Sequence, residues 1–171
     1  MKKLKFFFFL FLSFSTLNAA SSQDDVKVAI IGKLSNFITW KSPSNNQNFI
    51  ITVVGDKAFK KHLYTKYNEK NINSKKVLVL YVDSIDDLRP SDILYTGKLS
   101  QTEQYKFINY SKKNSILSIS EAYGFAQRGG IIQLYFVSQN LKFKINHKAS
   151  IQSNLKINAA LLSIATIVKG K

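Results

Sequence analysis

The stretch "FIITVVGDKAFKKHLYTKYNEKNINSKKVLVLYV" (residues 49–82) holds two apolar runs around an amphipathic segment. "FIITVVG" (49–55) is short, β-branched and closed by glycine, the signature of a buried strand. "KVLVLYV" (76–82) reads the same way. Between them "DKAFKKHLYTKY" places Phe59 and Leu63 four residues apart, on one face of a helix. About 20 residues separate the strands, enough for a right-handed crossover, so the two strands run parallel.

The pattern continues downstream. "DILYTG" (92–97) is a third strand after the turn at Pro90. Residues 101–113 form a helix with Tyr105, Phe107 and Ile108 as its apolar points. "SILSIS" (115–120) is a fourth strand, and 121–127 reads as a short helix. "IIQLYFV" and "LKFKIN" then alternate with period two around Ser138-Gln139-Asn140, a hairpin signature. Ile132, Leu134 and Phe136 share one face with Leu141, Phe143 and Ile145; Gln133, Tyr135, Lys142 and Lys144 take the other. A short helix near 147–153, a break at Asn154 and a helix over 158–168 complete the chain.

Upstream, Val26, Ala29, Ile30, Leu34, Phe37 and Ile38 fall on one helical face, with Asp24 and Asp25 at the helix N-terminus. Trp40 closes that segment and Pro43 stops it from continuing. The expectation is one α/β sandwich domain over 21–171. Its central mixed sheet has about six strands, parallel first and ending in an antiparallel hairpin, flanked by helices.

The first residues decide the compartment. Lys2, Lys3 and Lys5 precede an apolar run from Phe6 to Leu17, and small residues follow at Ala19, Ala20, Ser21 and Ser22. This is the layout of a signal peptide over 1–20, cleaved between 19 and 22. The run is too short for a membrane anchor, which needs about 20 apolar residues. The expected product is periplasmic and does not span the membrane. The net charge is +15, and removing the three leader lysines leaves +12. Export argues against a nucleic-acid partner, and the lysines are scattered rather than blocked. There is no cysteine, which excludes disulfides, thiol catalysis and thiolate metal sites.

Catalytic patterns are missing. The two histidines, His62 and His147, lack carboxylates or a second histidine at metal-ligand spacing. Asp83, Asp86 and Asp87 cluster after the second strand; they suit turn and capping chemistry better than acid–base work, with hydrolysis as a third hypothesis. No serine elbow, dinucleotide turn or Walker loop occurs. The chain reads as a binding module without a cofactor, not an enzyme.

The order of these segments resembles the YfiR/HmsC-like periplasmic proteins. The likeness rests on "VKVAIIGKLSNFITWKSP", on "IITVVGDKAF", and above all on "ILSISEAYGFAQRGGIIQLYFVSQNLKFKINHKASIQSNLKINAALLSIA". Three departures stand out. Lys144 replaces a commonly acidic residue, Ser91-Asp92 stands where a cysteine is frequent, and Asn154 takes the place of a glycine. The resemblance implies a dimeric repressor that binds the periplasmic sensor region of an inner-membrane diguanylate cyclase. It would thereby hold cyclic-di-GMP and biofilm formation down. The alternative is a periplasmic small-solute binder feeding a membrane sensor or transporter, with its cleft at the carboxyl ends of the parallel strands.

Arg128-Gly129-Gly130 fits two roles. The glycines ease the turn into the hairpin while Arg128 caps the preceding helix. Equally, the glycines leave space and Arg128 offers a planar fork to a carboxylate of a small ligand or partner. The expected contact surface comprises Arg128, Gly129, Gly130, Gln133, Tyr135, Lys142, Lys144 and Asn146, with the hairpin residues exposed. Trp40 reads as a core plug, with a partner-facing hot spot as the other option.

Overall fold

A computed structural model of the chain describes residues 22–41 and 47–170. The expected leader and Pro43 lie outside the described residues. The chain opens with α1 (Gln23–Leu34), started by a reciprocal capping box. The Ser22 hydroxyl accepts from the Asp25 amide, and the Asp25 carboxylate accepts from the Ser22 amide. The helix ends at Leu34, six residues before Trp40. A single 3₁₀ turn (Ser35–Phe37) and a short strand β1 (Ile38–Trp40) follow, so Trp40 sits on a strand rather than closing a helix. β-branched and aromatic residues in "FITW" favour that extended ending.

The opening motif then folds as its pattern requires: β2 (Asn48–Val54), α2 (Lys57–Tyr67), a two-residue β3 (Asn71–Ile72) and β4 (Lys75–Val82). β2 and β4 are parallel over seven residue pairs. Next come β5 (Ile93–Thr96), α3 (Gln101–Lys113), β6 (Leu117–Ser120), β7 (Ile132–Val137) and β8 (Asn140–Ile145). The chain closes with α4 (His147–Gln152), β9 (Leu155–Ile157), α5 (Ala159–Ser163) and β10 (Thr166–Ile167).

The main sheet has eight strands in the order β10-β8-β7-β6-β5-β2-β4-β3. β4, β2, β5, β6 and β7 are mutually parallel, and β7–β8 form the antiparallel hairpin. β1 and β9 pair separately as a two-stranded ribbon. The count exceeds the expected six because β3 and β10 add two-residue edges that carry no periodicity of their own. Alternation sends Ile51, Val53, Ile93 and Ile119 into one core with Ile31, Phe59 and Leu63 of the first two helices. Leu94 and Ile116 join a second core with Phe107 of α3 and Phe125. The sheet is thus covered on both faces, which is why its central strands read as apolar runs.

Two segments depart from their expected form. Residues 121–130 are a chain of turns, not a helix, with Gly124 at φ +73°. The terminal helix stops at Ser163, and Thr166–Ile167 instead pair in parallel with Lys144–Ile145 of β8. The break at Asn154 is present, with φ +55°.

Candidate functional site

β2 and β5 lie side by side, yet their helices leave on opposite faces of the sheet: α2 returns to β4, α3 to β6. A crevice opens outside their carboxyl ends, as such switch points require. Its volume is about 540 Å³. The ends of the strands supply the walls: Gly55-Asp56 after β2, Asp83 after β4, Gly97-Lys98 after β5 and Glu121 after β6. In a chain with 25 lysines and arginines against ten acidic residues, five of the ten (Asp56, Asp83, Asp86, Glu103 and Glu121) line this one cleft.

Each carboxylate has a local reason to be there. Asp56 caps α2, accepting from the Phe59 amide at 2.9 Å. Its other oxygen lies 3.7 Å from where a Gly97 side chain would begin. Asp83 accepts from the Tyr81 hydroxyl at 2.6 Å, and Glu103 completes a capping box with Ser100. Asp86 stands 3.4 Å from Lys106.

The wall nearest α1 carries a buried charge cluster. Lys27 keeps only 9% of its side chain exposed, and its ammonium lies 2.7 Å from both Asp24 and Glu121. It also sits 5.0 Å above the Phe59 ring. The fully buried Tyr95 donates its hydroxyl proton to the same Glu121 carboxylate. Burial pulls the Lys27 ammonium toward neutrality, but hydrogen bonds to Asp24 and Glu121 outweigh it and hold its pKa above the ordinary value. Burial, then the Glu121 charge, push the Tyr95 hydroxyl well above its usual range. The cluster ties α1 to the loop after β6. Sequence reasoning passed over Lys27, Tyr95 and Glu121. The one available signal was a lysine at a position of α1 that packs inward.

The residues expected from sequence form a different neighbourhood. Gly129 adopts φ +109°, and a side chain on Gly130 would begin 2.1 Å from the buried Phe125 ring, so the pair serves both turn and close approach. The Arg128 guanidinium does not reach outward. Its Nε donates to Gln104 Oε1 at 2.9 Å, and a terminal nitrogen donates to the Tyr123 carbonyl. Asn146 is buried: its amide nitrogen donates to the Ala126 carbonyl at 2.8 Å and its oxygen caps α4. The hairpin brings Gln133 opposite Lys144 and Tyr135 opposite Lys142. Lys142 is exposed, and the Lys144 ammonium lies 5.3 Å over the Tyr135 ring. Gln133, expected exposed, is buried at 3%, on the face opposite Ile132 and Leu134, because both faces of the sheet are covered there. Tyr123, in those turns, is 87% exposed.

Asp83 and Asp86 reach the cleft, whereas Asp87 is not part of its lining. Among the described residues, no group of three or more His, Asp or Glu side chains could hold a metal ion, and no helix is long and apolar enough to cross a membrane. His62 is exposed, 3.6 Å from Asp25.

In overall shape the chain is similar to a conserved domain protein from Vibrio cholerae O1 biovar El Tor. The TM-score is 0.59 at 15% identity, over 85% of this chain and 60% of that one. It is also similar to an ABC domain from Streptococcus pneumoniae solved in complex with L-Trp, with TM-score 0.55 at 11% identity, over 86% and 60%. The chain therefore spans about three-fifths of each of these structures, and at such identities the likeness is one of fold. No curated protein matches it significantly. Residues 24–166, nearly the whole of the described fold, match the sequence profile of the YfiR/HmsC-like proteins, and the chain belongs to that family.

Proposed function

We propose that this protein is a periplasmic regulator that binds the sensor region of an inner-membrane diguanylate cyclase and holds the cyclase inactive. Membership of the YfiR/HmsC-like family over residues 24–166 carries this reading, because that family acts in periplasmic control of cyclic-di-GMP signalling. Tyr135, Lys142 and Lys144 on the hairpin form the contact surface. The proposed contact region also takes in Gly129, Gly130, Gln133 and Asn146, and Arg128 braces the adjoining turns. A regulator of this kind needs only to bind one state of the sensor more tightly. A tenfold shift in population takes about 1.4 kcal/mol of differential affinity. Lys144, where the family is commonly acidic, tunes partner choice.

The test is co-purification from detergent-solubilised membranes of the producing organism, with cyclic-di-GMP measured in a deletion strain. Recovery of a cyclase with a periplasmic sensor region, together with a rise in cyclic-di-GMP on deletion, supports the reading. Recovery of no membrane sensor, with unchanged cyclic-di-GMP, overturns it. Light scattering of the purified protein tests the dimer that accompanies the reading.

The cleft at the switch point favours a second reading, a small-solute binder that feeds a membrane sensor. A fold neighbour was solved in complex with L-Trp. Thermal-shift screening against amino acids, L-tryptophan included, distinguishes the two. Saturable stabilisation lost in Asp56→Asn favours the solute binder.

A further inference from the structure

The carboxylates of this protein gather at one end of the parallel strands, where Lys27, Lys98 and Lys106 line the cleft beside them. Seven of its ten acidic residues sit at the carboxyl end of the parallel strands: the five that line the cleft, Asp24 beside Lys27, and Asp87 in the turn after β4. At the opposite edge of the sheet the helices end and the strands begin. There α2 delivers Lys66, α3 delivers Lys112 and Lys113, and Lys41, Lys70 and Lys148 complete the edge. All six are exposed, and among the described residues none of them is ion-paired.

These lysines belong to one continuous edge. The Lys41 amide donates to the Asn154 carbonyl, and the Asn154 side chain donates to Ser115 just after the end of α3. Lys112 reaches Gln152 at the end of α4 at 3.0 Å. The Lys70 carbonyl accepts from the Val77 amide at the start of β4. Ile151, beside Gln152, leaves 53% of its surface in solvent on the same edge. Of the two acidic residues at this edge, Glu69 is paired with Lys76 at 2.8 Å, and Asp92 is buried, accepting from the Ile50 amide.

We propose that this basic edge docks the protein on an anionic phospholipid bilayer, with the carboxylate-lined cleft turned away from it. A uniformly basic surface would bind such a membrane without orientation. Here Lys27 and Lys106 at the cleft end are paired with carboxylates while the six edge lysines are not, so the edge is the side drawn to the bilayer. Lysine ammonium groups suit lipid headgroups as mobile point charges, and Ile151 supplies an apolar contact at the interface. Each lysine near an anionic bilayer raises partitioning about fivefold, so loss of three lowers it by about 100-fold. The inference does not depend on which sensor the protein regulates.

The experiment is co-sedimentation of the purified mature protein with vesicles containing one-third phosphatidylglycerol, and with pure phosphatidylcholine vesicles, at about 50 mM and about 500 mM NaCl. Two variants remove equal charge from opposite ends: Lys66→Gln/Lys112→Gln/Lys113→Gln at the basic edge, and Lys57→Gln/Lys60→Gln/Lys61→Gln toward the start of α2. These lysines lie at the surface, and circular dichroism confirms folding of each variant. The expected result is binding to the anionic vesicles alone, released by high salt. It falls about 100-fold in the basic-edge variant and only a few-fold in the other. Equal losses in both variants, equal binding to neutral vesicles, or no binding at low salt would each overturn the proposal. So would a basic-edge variant that keeps its lipid partitioning but loses capture of a membrane protein in detergent.

Discussion

Replacing Glu121 tests the charge cluster that joins α1 to the wall of the cleft. Glu121 serves two partners: the Lys27 ammonium at 2.7 Å and the Tyr95 hydroxyl. Glu121→Gln keeps an acceptor for Tyr95 but removes one of the two charges facing Lys27. A hydrogen bond to a charged group contributes about 1.5–3 kcal/mol. Asp24 remains beside Lys27 and Glu121 is 28% exposed, so the expected loss is at the low end, about 1–2 kcal/mol. Glu121→Ala also leaves the buried Tyr95 hydroxyl without its acceptor, which adds about 1–3 kcal/mol. Lys27→Met fills similar volume but leaves the partly exposed Asp24 and Glu121 carboxylates without their shared cation; it costs about 2–4 kcal/mol. In that background Glu121→Gln becomes nearly neutral, so the double-mutant cycle gives a coupling of about 1–2 kcal/mol. Urea unfolding at neutral pH, followed by circular dichroism and by the fluorescence of the sole tryptophan, Trp40, measures all four species. The reasoning fails if Glu121→Gln and Glu121→Ala cost the same, or if the coupling is zero.

The same cluster sets an alkaline limit. The pKa values of Lys27 and Tyr95 are both raised in the folded protein, so the stability they contribute is complete below their ordinary values. Melting temperature falls once the pH rises above about 10, and Tyr95→Phe flattens that fall; a profile unchanged by Tyr95→Phe contradicts the assignment. Gly130→Ala drives a methyl group into the buried Phe125 ring and costs about 1–3 kcal/mol in urea titrations; a neutral outcome means the 121–130 turns are looser than described. Asn146→Ala removes the cap of α4 and one of two hydrogen bonds to the Ala126 carbonyl, which keeps the Gly129 amide, a loss of about 1–3 kcal/mol. Asn146→Asp keeps the cap but buries a carboxylate oxygen against that carbonyl, and costs at least as much as Asn146→Ala. Ser100→Ala breaks the reciprocal cap of α3 and costs about 1 kcal/mol, read as a lower unfolding midpoint.

Local pattern carried much of the architecture. Apolar runs at 49–55 and 76–82 separated by one amphipathic helix specify a parallel pair, because a buried strand needs no polar face and the connection must cross over. The helix at 101–113, the hairpin and the left-handed Asn154 were equally legible, since each depends on its own period or turn residue. β3 and β10 were not, being two residues long and made only by the neighbours they pair with. Residues 121–127 read as a short helix from sequence, whereas they belong to the run of turns over 121–130. What rules it out is the geometry of Gly124 and the Phe125–Gly130 contact. Glu121 and Lys27 are 94 positions apart, and Asp56 and Asp83 belong to different strands; no short-range pattern marks them as neighbours. The chain alone determined which segments are strands and helices. Only the packed sheet decided which strand ends meet, and so where carboxylates gather and where lysines are left facing outward. Charge placement depends on distances across strands, and a linear reading does not contain them.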